Sequence, residues 1–332
     1  MRLPLPLLQS LFFQLSTRDE LVKALGDSVD MAEIEEIDQA VAQKIPPVTS
    51  RTVLATMFGV HPGLIWSFEN RQHTHYRSFV IPKGKNKAGR RIDAPRVALK
   101  IVQKWLSVQL QEVFEPADHV YGFVSGRSHL DAAIVHANAR WLFSVDIENF
   151  FSTTPEPLVA SSLQHAGFSA KGAALIARLA CFRGALAQGS PSSPVLSNLC
   201  FQEMDALLSQ LASTYGVRFT RYADDIVFSG IDSDSCPPQL INDIKNLFSM
   251  SVWQLAEHKT SVVSLPSRLK VHGLLVHGEK PRLTKGYRNK LRAFRHLLAA
   301  NFVREADLKR LRGHVTYGDM VERQTNGDKP VL

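Results

Sequence analysis

Residues 218–230, RFTRYADDIVFSG, constrain the fold more than any other stretch. They read as two β-rich halves around a tight turn at Ala223-Asp224. The adjacent carboxylates of Asp224 and Asp225 repel one another, and a divalent cation removes that cost. Neighbouring acids on a strand point to opposite faces, so normally only one reaches a given site. A second ligand must then come from elsewhere. Asp146 is the candidate, because WLFSVDIENFF, residues 141–151, begins as a buried-strand run and ends in a polar turn with Asp146, Glu148 and Asn149. A lone Asp-Asp pair is more often a plain acidic turn. The upstream Asp146 and the β-rich setting favour a metal site. Two metals held about 4 Å apart by such carboxylates activate a 3′-hydroxyl and stabilise a leaving pyrophosphate. Magnesium suits that role, since it takes oxygen ligands and keeps waters and substrate phosphates in its shell.

Charge along the chain fits an anionic partner. The net charge is +8. From Arg71 to Lys104 there are ten Lys/Arg against one acid, and from Arg268 to Arg312 thirteen against three. Between Trp141 and Leu265 the balance reverses, with seven against eleven. Two basic segments therefore flank an acidic centre: one attracts polyphosphate, the other holds divalent metal. Solvated helix faces are the plainer reading of such runs. With 332 residues and 45% hydrophobic content, the chain can bury a core split into two or three subdomains. Cys181, Cys200 and Cys236 show no paired metal-ligand spacing, which points to a reduced, cytoplasmic setting. The apolar start, LPLPLLQSLFFQL, is broken by Pro4, Pro6, Gln9 and Gln14 and makes a poor signal peptide. No run is long enough to span a bilayer, so no membrane partner is expected.

Further elements follow from pattern. Residues 1–50 look helical, closed by Pro46 and Pro47. IPKGKNKAGRRIDAP, residues 81–95, reads as a hairpin. Residues 97–114 have helical period through Val97, Ile101, Trp105, Val108 and Val113. PVLSNLCFQEMDALLSQLA, residues 194–212, reads as one helix, with Ser192 and Ser193 as cap candidates and Pro194 in the first turn. LKVHGLLVHG, residues 269–278, looks like a hairpin. GYRNKLRAFRHLLAA, residues 286–300, is an amphipathic helix. Its apolar stripe is Tyr287, Leu291, Phe294 and Leu298, with Arg288, Arg292 and Arg295 on other faces.

With these motifs placed, the sequence resembles reverse transcriptases. SVDIENFF (144–151), QGSPSSP (188–194), YADD (222–225), HKTSVV (258–263) and VHGLLV (271–276) follow the family's palm motifs in order. RRIDAP (90–95) resembles its basic finger strand. The likeness covers roughly residues 75–315. It implies an α+β right hand whose palm is an antiparallel sheet with helices. Residues 1–50 would be a helical extension, 51–140 the fingers, 141–275 the palm with a finger segment near 155–187, and 276–332 a small helical thumb.

The resemblance also implies roles. Asp146 and Asp224 would be principal ligands to two Mg2+ ions, Asp225 a supporting one, and the Ile147 carbonyl a further donor. Phe151 falls where the family places its steric gate against a 2′-hydroxyl; Phe150 and Phe151 as two core aromatics is the alternative. Gln188, Gly189 and Ser190 would line the incoming nucleotide, with glycine permitting close backbone approach. Lys83 and Arg90 would meet the triphosphate, with Arg91 as neighbour; which arginine points inward is open. Lys259 would protonate the departing pyrophosphate, or be an exposed lysine. Tyr222 and Gly273 of the primer-grip hairpin would meet nucleic acid, as would Arg288, Arg292 and Arg295.

Within the family the chain is most similar to bacterial retron enzymes. These carry Asn-Ala-x-x-His before the first palm motif, where this chain has Ala132-Ala133-Ile134-Val135-His136. They carry Val-Thr-Gly where it has Val271-His272-Gly273. His136 is either a core histidine or an RNA contact. The subgroup implies copying of the protein's own structured noncoding RNA (msr/msd type) from an internal guanosine 2′-hydroxyl with deoxynucleoside triphosphates. It further implies branched RNA-linked DNA (msDNA), an anti-phage role and an effector protein. Competing readings are an abortive-infection reverse transcriptase, an RNA-dependent RNA polymerase and an inactive polymerase-like RNA-binding module.

Overall fold

The computed structural model describes residues 17–82 and 89–326. In chain order the strands are β1 (Tyr76–Ile81), β2 (Arg90–Pro95), β3 (Trp141–Asp146), β4 (Cys181–Phe182), β5 (Ala185–Leu186), β6 (Arg218–Tyr222), β7 (Asp225–Gly230), β8 (Ser261–Ser264), β9 (Lys270–Val271), β10 (Leu274–Leu275) and β11 (Arg282–Leu283). Helices alternate with them, so the class is α+β. Two compact units share the chain, residues 1–116 with 148–204 and residues 117–147 with 205–332. No helix among the described residues is long and apolar enough to cross a membrane.

The first unit is mainly helical. The helix Arg18–Leu25 opens with a capping box, in which Thr17 and Glu20 each bond the other's backbone N–H. Met31–Ala42 starts on Asp30, and residues 1–16 lie outside the described set. The expected hairpin is β1–β2, but its first strand begins at Tyr76, and Tyr76 pairs with Pro95. The helix Val97–Val113 forms as expected, and Trp105 and Val108 of its expected stripe are buried, within a broader inner face. Leu99, Val102, Leu106 and Leu110 are buried, whereas Val97 is 75% exposed. The buried face is thus wider than one stripe, and packing leaves Val97 at its exposed end. The single helix expected over 194–212 is two, Ser193–Cys200 and Gln202–Thr214, separated at Phe201. Phe201 is fully buried, edge-on to Phe150 at 5.6 Å. Neither serine caps through its side chain: the Ser193 hydroxyl donates to the Ala187 carbonyl, and Ser192 pairs with the Ser190 hydroxyl.

The second unit holds a four-stranded antiparallel sheet in the order β6-β7-β3-β8. β3 is interior to the sheet, pairing with β7 and β8, and its apolar run is buried on both faces. Register fixes what each face carries. Phe143, Phe228 and Phe219 stand in line across three strands, with stacked rings 6.1 and 5.0 Å apart. This cross-strand aromatic row fills one face. Leu142 and Val227 lie on the other, in a core with Leu130, Ala133, Val271, Leu274, Leu283, Leu291 and Val321. The hairpin expected at 269–278 is β9–β10, turned at His272 and Gly273, both with positive φ. The amphipathic helix is Lys285–Ala299, joined to Glu305–Asn326 through the pair Tyr287 Oη–His314 Nδ1 at 2.8 Å.

Candidate active site

The expected hairpin of residues 218–230 is present, and its two-residue turn is Ala223-Asp224, since Tyr222 pairs with Asp225. Asp146 ends β3 directly opposite Asp225 in β7. Alternation puts Asp146, Asp225 and Tyr222 on one face of the sheet. The cross-strand partner of Asp146 is thus Asp225, while Asp224 sits in the turn. The Asp224 carbonyl accepts from the Ile147 N–H at 3.0 Å, which ties the turn to the end of β3. The Asp146 carbonyl accepts from the Ala256 N–H at 2.8 Å. That bond delivers the short helical turn Glu257–Lys259, and the Lys259 Nζ lies 2.5 Å from Asp146 Oδ1.

Electrostatics mark the cluster. Asp146 is 8% exposed. Partial burial, then the like charges of Asp224 and Asp146, push the Asp225 carboxyl up to about 7. Two carboxylates facing each other across paired strands destabilise the sheet unless a cation or proton intervenes. The Lys259 ammonium supplies positive charge to Asp146 from within the chain. Among the described residues no three acidic, histidine or cysteine side chains close a ready-made cage. An all-oxygen, half-open donor set of this kind suits a hard divalent ion that completes its shell with water and phosphate. The residues present fit such an ion.

His272 adjoins the cluster, its Nδ1 3.9 Å from Asp225 Oδ2 and its ring 5.1 Å from Tyr222. Burial lowers its pKa to about 4, so it is neutral and forms no ion pair at neutral pH. Edge-on to Tyr222 at 6.4 Å is His129, whose Nε2 meets the Tyr317 hydroxyl at 3.0 Å. Gly273, in the β9–β10 turn, has φ +87. His136, left open between core and RNA, is a core residue. It is fully buried, with Nδ1 2.7 Å from Ser229 Oγ and Nε2 2.8 Å from Thr220 Oγ1.

The arginines of the helix Lys285–Ala299 divide. Arg288 and Arg292 are exposed on Lys285–Ala299. Arg295 faces the neighbouring helix, where it pairs with Asp319 at 2.5 Å and Glu322 at 3.5 Å. Its guanidinium is already engaged by protein carboxylates.

The remaining candidates belong to the first unit. The Gln188 carbonyl accepts from the Asp93 N–H at 2.9 Å, docking the QGSPSSP loop on β2. Gly189 has φ +135, and a Cβ there would lie 2.9 Å from the Asp93 carbonyl oxygen. Close backbone approach is thus already used against β2. The Ser190 hydroxyl is buried and donates to Gln103 Oε1 at 2.7 Å, and Gln103 Nε2 in turn donates to the Tyr76 hydroxyl and the Leu179 carbonyl. Ser190 is therefore spent on the loop's own framework. The Arg91 side chain bonds Asp93 and Ser78, while that of Arg90 is exposed and bonds no other described side chain. Lys83 lies outside the described residues. Phe150 is buried, and Phe151, half-buried, has its ring 5.7 Å away. Sequence reasoning missed the Gln103 hub and the buried pair Asp205–Arg221; a polar residue inside an apolar helical stripe was the available signal for Gln103.

Residues 40–290 match the family model described as reverse transcriptase (RNA-dependent DNA polymerase). Over 284 residues the chain is 29% identical to the retron Mx162 reverse transcriptase of Myxococcus xanthus, a match covering 76% of this chain and 58% of that protein. It is 26% identical over 246 residues to the retron Ec86 reverse transcriptase of Escherichia coli, covering 73% of this chain and 75% of that one. Among solved structures, a Candida tropicalis telomerase aligns with TM-score 0.47 at 9% identity, covering 80% of this chain and 73% of that one. The retron-type resemblance read from the motifs is borne out by these relatives.

Proposed function

This chain belongs to the reverse transcriptase family, and we propose that it is a retron-type RNA-directed DNA polymerase that copies part of a structured noncoding RNA into RNA-linked DNA. The observation that carries the reading is Asp146 facing Asp225 across β3–β7, with Asp224 in the adjoining turn. In the proposed mechanism these three carboxylates hold divalent metal, which we take to be two Mg2+ ions. When bound, the metal lowers the cost of deprotonating the attacking hydroxyl and of developing charge on the phosphates. The protein's own part is positional. β3 and the β6–β7 turn hold the acids in register, and the Ile147 and Ala256 amides lock the two chain ends that present them. Lys259, half-exposed beside Asp146, is the proposed proton donor to the leaving pyrophosphate, a role that rests on its motif. Roles for Lys83, Arg90, Arg91, Phe151, Gln188 and Gly189 at the nucleotide rest on their motifs. Ser190 supports its loop. Tyr222, Gly273, Arg288 and Arg292 are the proposed nucleic-acid contacts.

The finger, palm and thumb boundaries given above belong to the same proposal. So do the branched product, an effector partner, a cytoplasmic site of action and a role in anti-phage defence, all of which rest on the retron resemblance of the sequence motifs. The deciding experiment incubates the protein with a primed RNA template, deoxynucleotides and magnesium. Templated extension is expected. Extension with ribonucleotides alone would transfer the chain to RNA polymerases, and failure with every divalent metal would make it a binding module.

A further inference from the structure

Behind the catalytic turn, on the opposite face of β6, lies Arg221. Its side chain is fully buried, and so, at 4% exposure, is that of Asp205 from the helix Gln202–Thr214. The two form a bidentate pair, Nε to Oδ1 at 2.7 Å and Nη2 to Oδ2 at 2.5 Å. Arg221 then uses Nη1 to donate to the Ala223 carbonyl at 3.1 Å. Ala223 is the first residue of the turn and has φ +59, a left-handed conformation that an L residue with a Cβ resists. Resting on the polymerase reading above, we infer that Asp205 and Arg221 are positioning residues, a clamp that holds Ala223 in this conformation and thereby aims Asp224 and Asp225.

Three observations favour positioning over other roles. Arg221 has no solvent-accessible surface, so it touches neither nucleic acid nor nucleotide. A buried ion pair adds little stability over a well-packed apolar pair, so geometry accounts for its presence better than stability does. Moreover, the surrounding backbone is built around the same turn. The Arg221 N–H donates to the His119 carbonyl and its own carbonyl accepts from Tyr121 N–H, both at 2.8 Å. This lays residues 119–122 alongside β6. At Gly122 a Cβ would fall 2.1 Å from the Ala223 nitrogen, so only glycine lets that segment close over the turn. Asp205 fixes the orientation of the planar guanidinium, and the fork geometry is one that lysine cannot reproduce.

The test compares wild type, Arg221→Lys, Arg221→Lys with Ala223→Gly, and the apolar pair Asp205→Leu with Arg221→Met. Primed-RNA extension gives kcat, primer–template affinity is measured separately, and hydrogen exchange follows peptides spanning residues 219–227. In Arg221→Lys, kcat should fall by about a hundredfold, the loss typical of an ångström-scale misplacement, while affinity stays within about twofold. Exchange at the turn should rise. Glycine adopts the left-handed conformation without a clamp, so Ala223→Gly should restore about tenfold of the lost kcat. The apolar pair keeps the core filled and should melt near wild type yet lose kcat similarly. A folded apolar pair with wild-type kcat, or an unrescued Arg221→Lys, overturns the clamp. A wild-type chain that extends no primer overturns the polymerase reading and the clamp with it.

Discussion

Acid should unfold this protein through His136. The ring is fully buried between Ser229 and Thr220, whose hydroxyls meet both nitrogens, so it joins β6 to β7 on the sheet face that also carries Tyr222 and Asp225. Burial, reinforced by His272 and Arg218, lowers its pKa from the usual 6.5 to about 3. A histidine depressed in the folded state leaves stability unchanged above the unfolded pKa. Below it the unfolded chain takes up a proton that the folded chain refuses, so stability falls as pH drops from 6.5 toward 3. At pH 5 the gap from 6.5 is worth about 2 kcal/mol, at about 1.4 kcal/mol per pH unit. His272, lowered to about 4, adds a loss of the same sign, so the variant must be compared with wild type at both pH values. The assay is urea unfolding at pH 7.5 and pH 5 for wild type and His136→Gln, whose amide can serve both hydroxyls without titrating. Glutamine should cost stability at pH 7.5 and shrink the acid-induced loss by about 2 kcal/mol. Equal losses in the two proteins would refute the argument.

Asp146→Ala and Asp224→Ala should each abolish deoxynucleotide incorporation while RNA binding, measured by filter retention, largely survives; synthesis by either variant would dissolve the metal assignment. Phe151→Ala should admit ribonucleotides in a sugar-competition assay, and unchanged discrimination would move the gate elsewhere. Arg292→Ala should weaken RNA binding and reduce its salt slope by about 1, the loss of one phosphate contact. Arg295→Ala should leave that slope alone and lower the melting temperature, because its guanidinium is bound to Asp319 and Glu322.

Local chemistry determined a good part of this protein from sequence alone. The apolar run from residue 141, the β-rich halves around Ala223-Asp224 and the 3.6-residue stripe expected on 286–300 each carry their own period or turn signal, and each formed an element there, the helix spanning Lys285–Ala299. The pairing of Asp146 with the YADD turn followed from the need for a distant second carboxylate. What the order of residues left undecided was which side chains face inward and whom they meet. Pairing register, not adjacency, put Asp225 opposite Asp146. Packing left Val97 outside the buried face of its helix, split one helix at the buried Phe201, and turned Ser190 and Arg295 toward protein partners. Asp205 and Arg221, like His136 and Ser229, are far apart along the chain, and no periodicity links them. Burial strips water from such groups, and a desolvated charge or ring must find its partner in three dimensions.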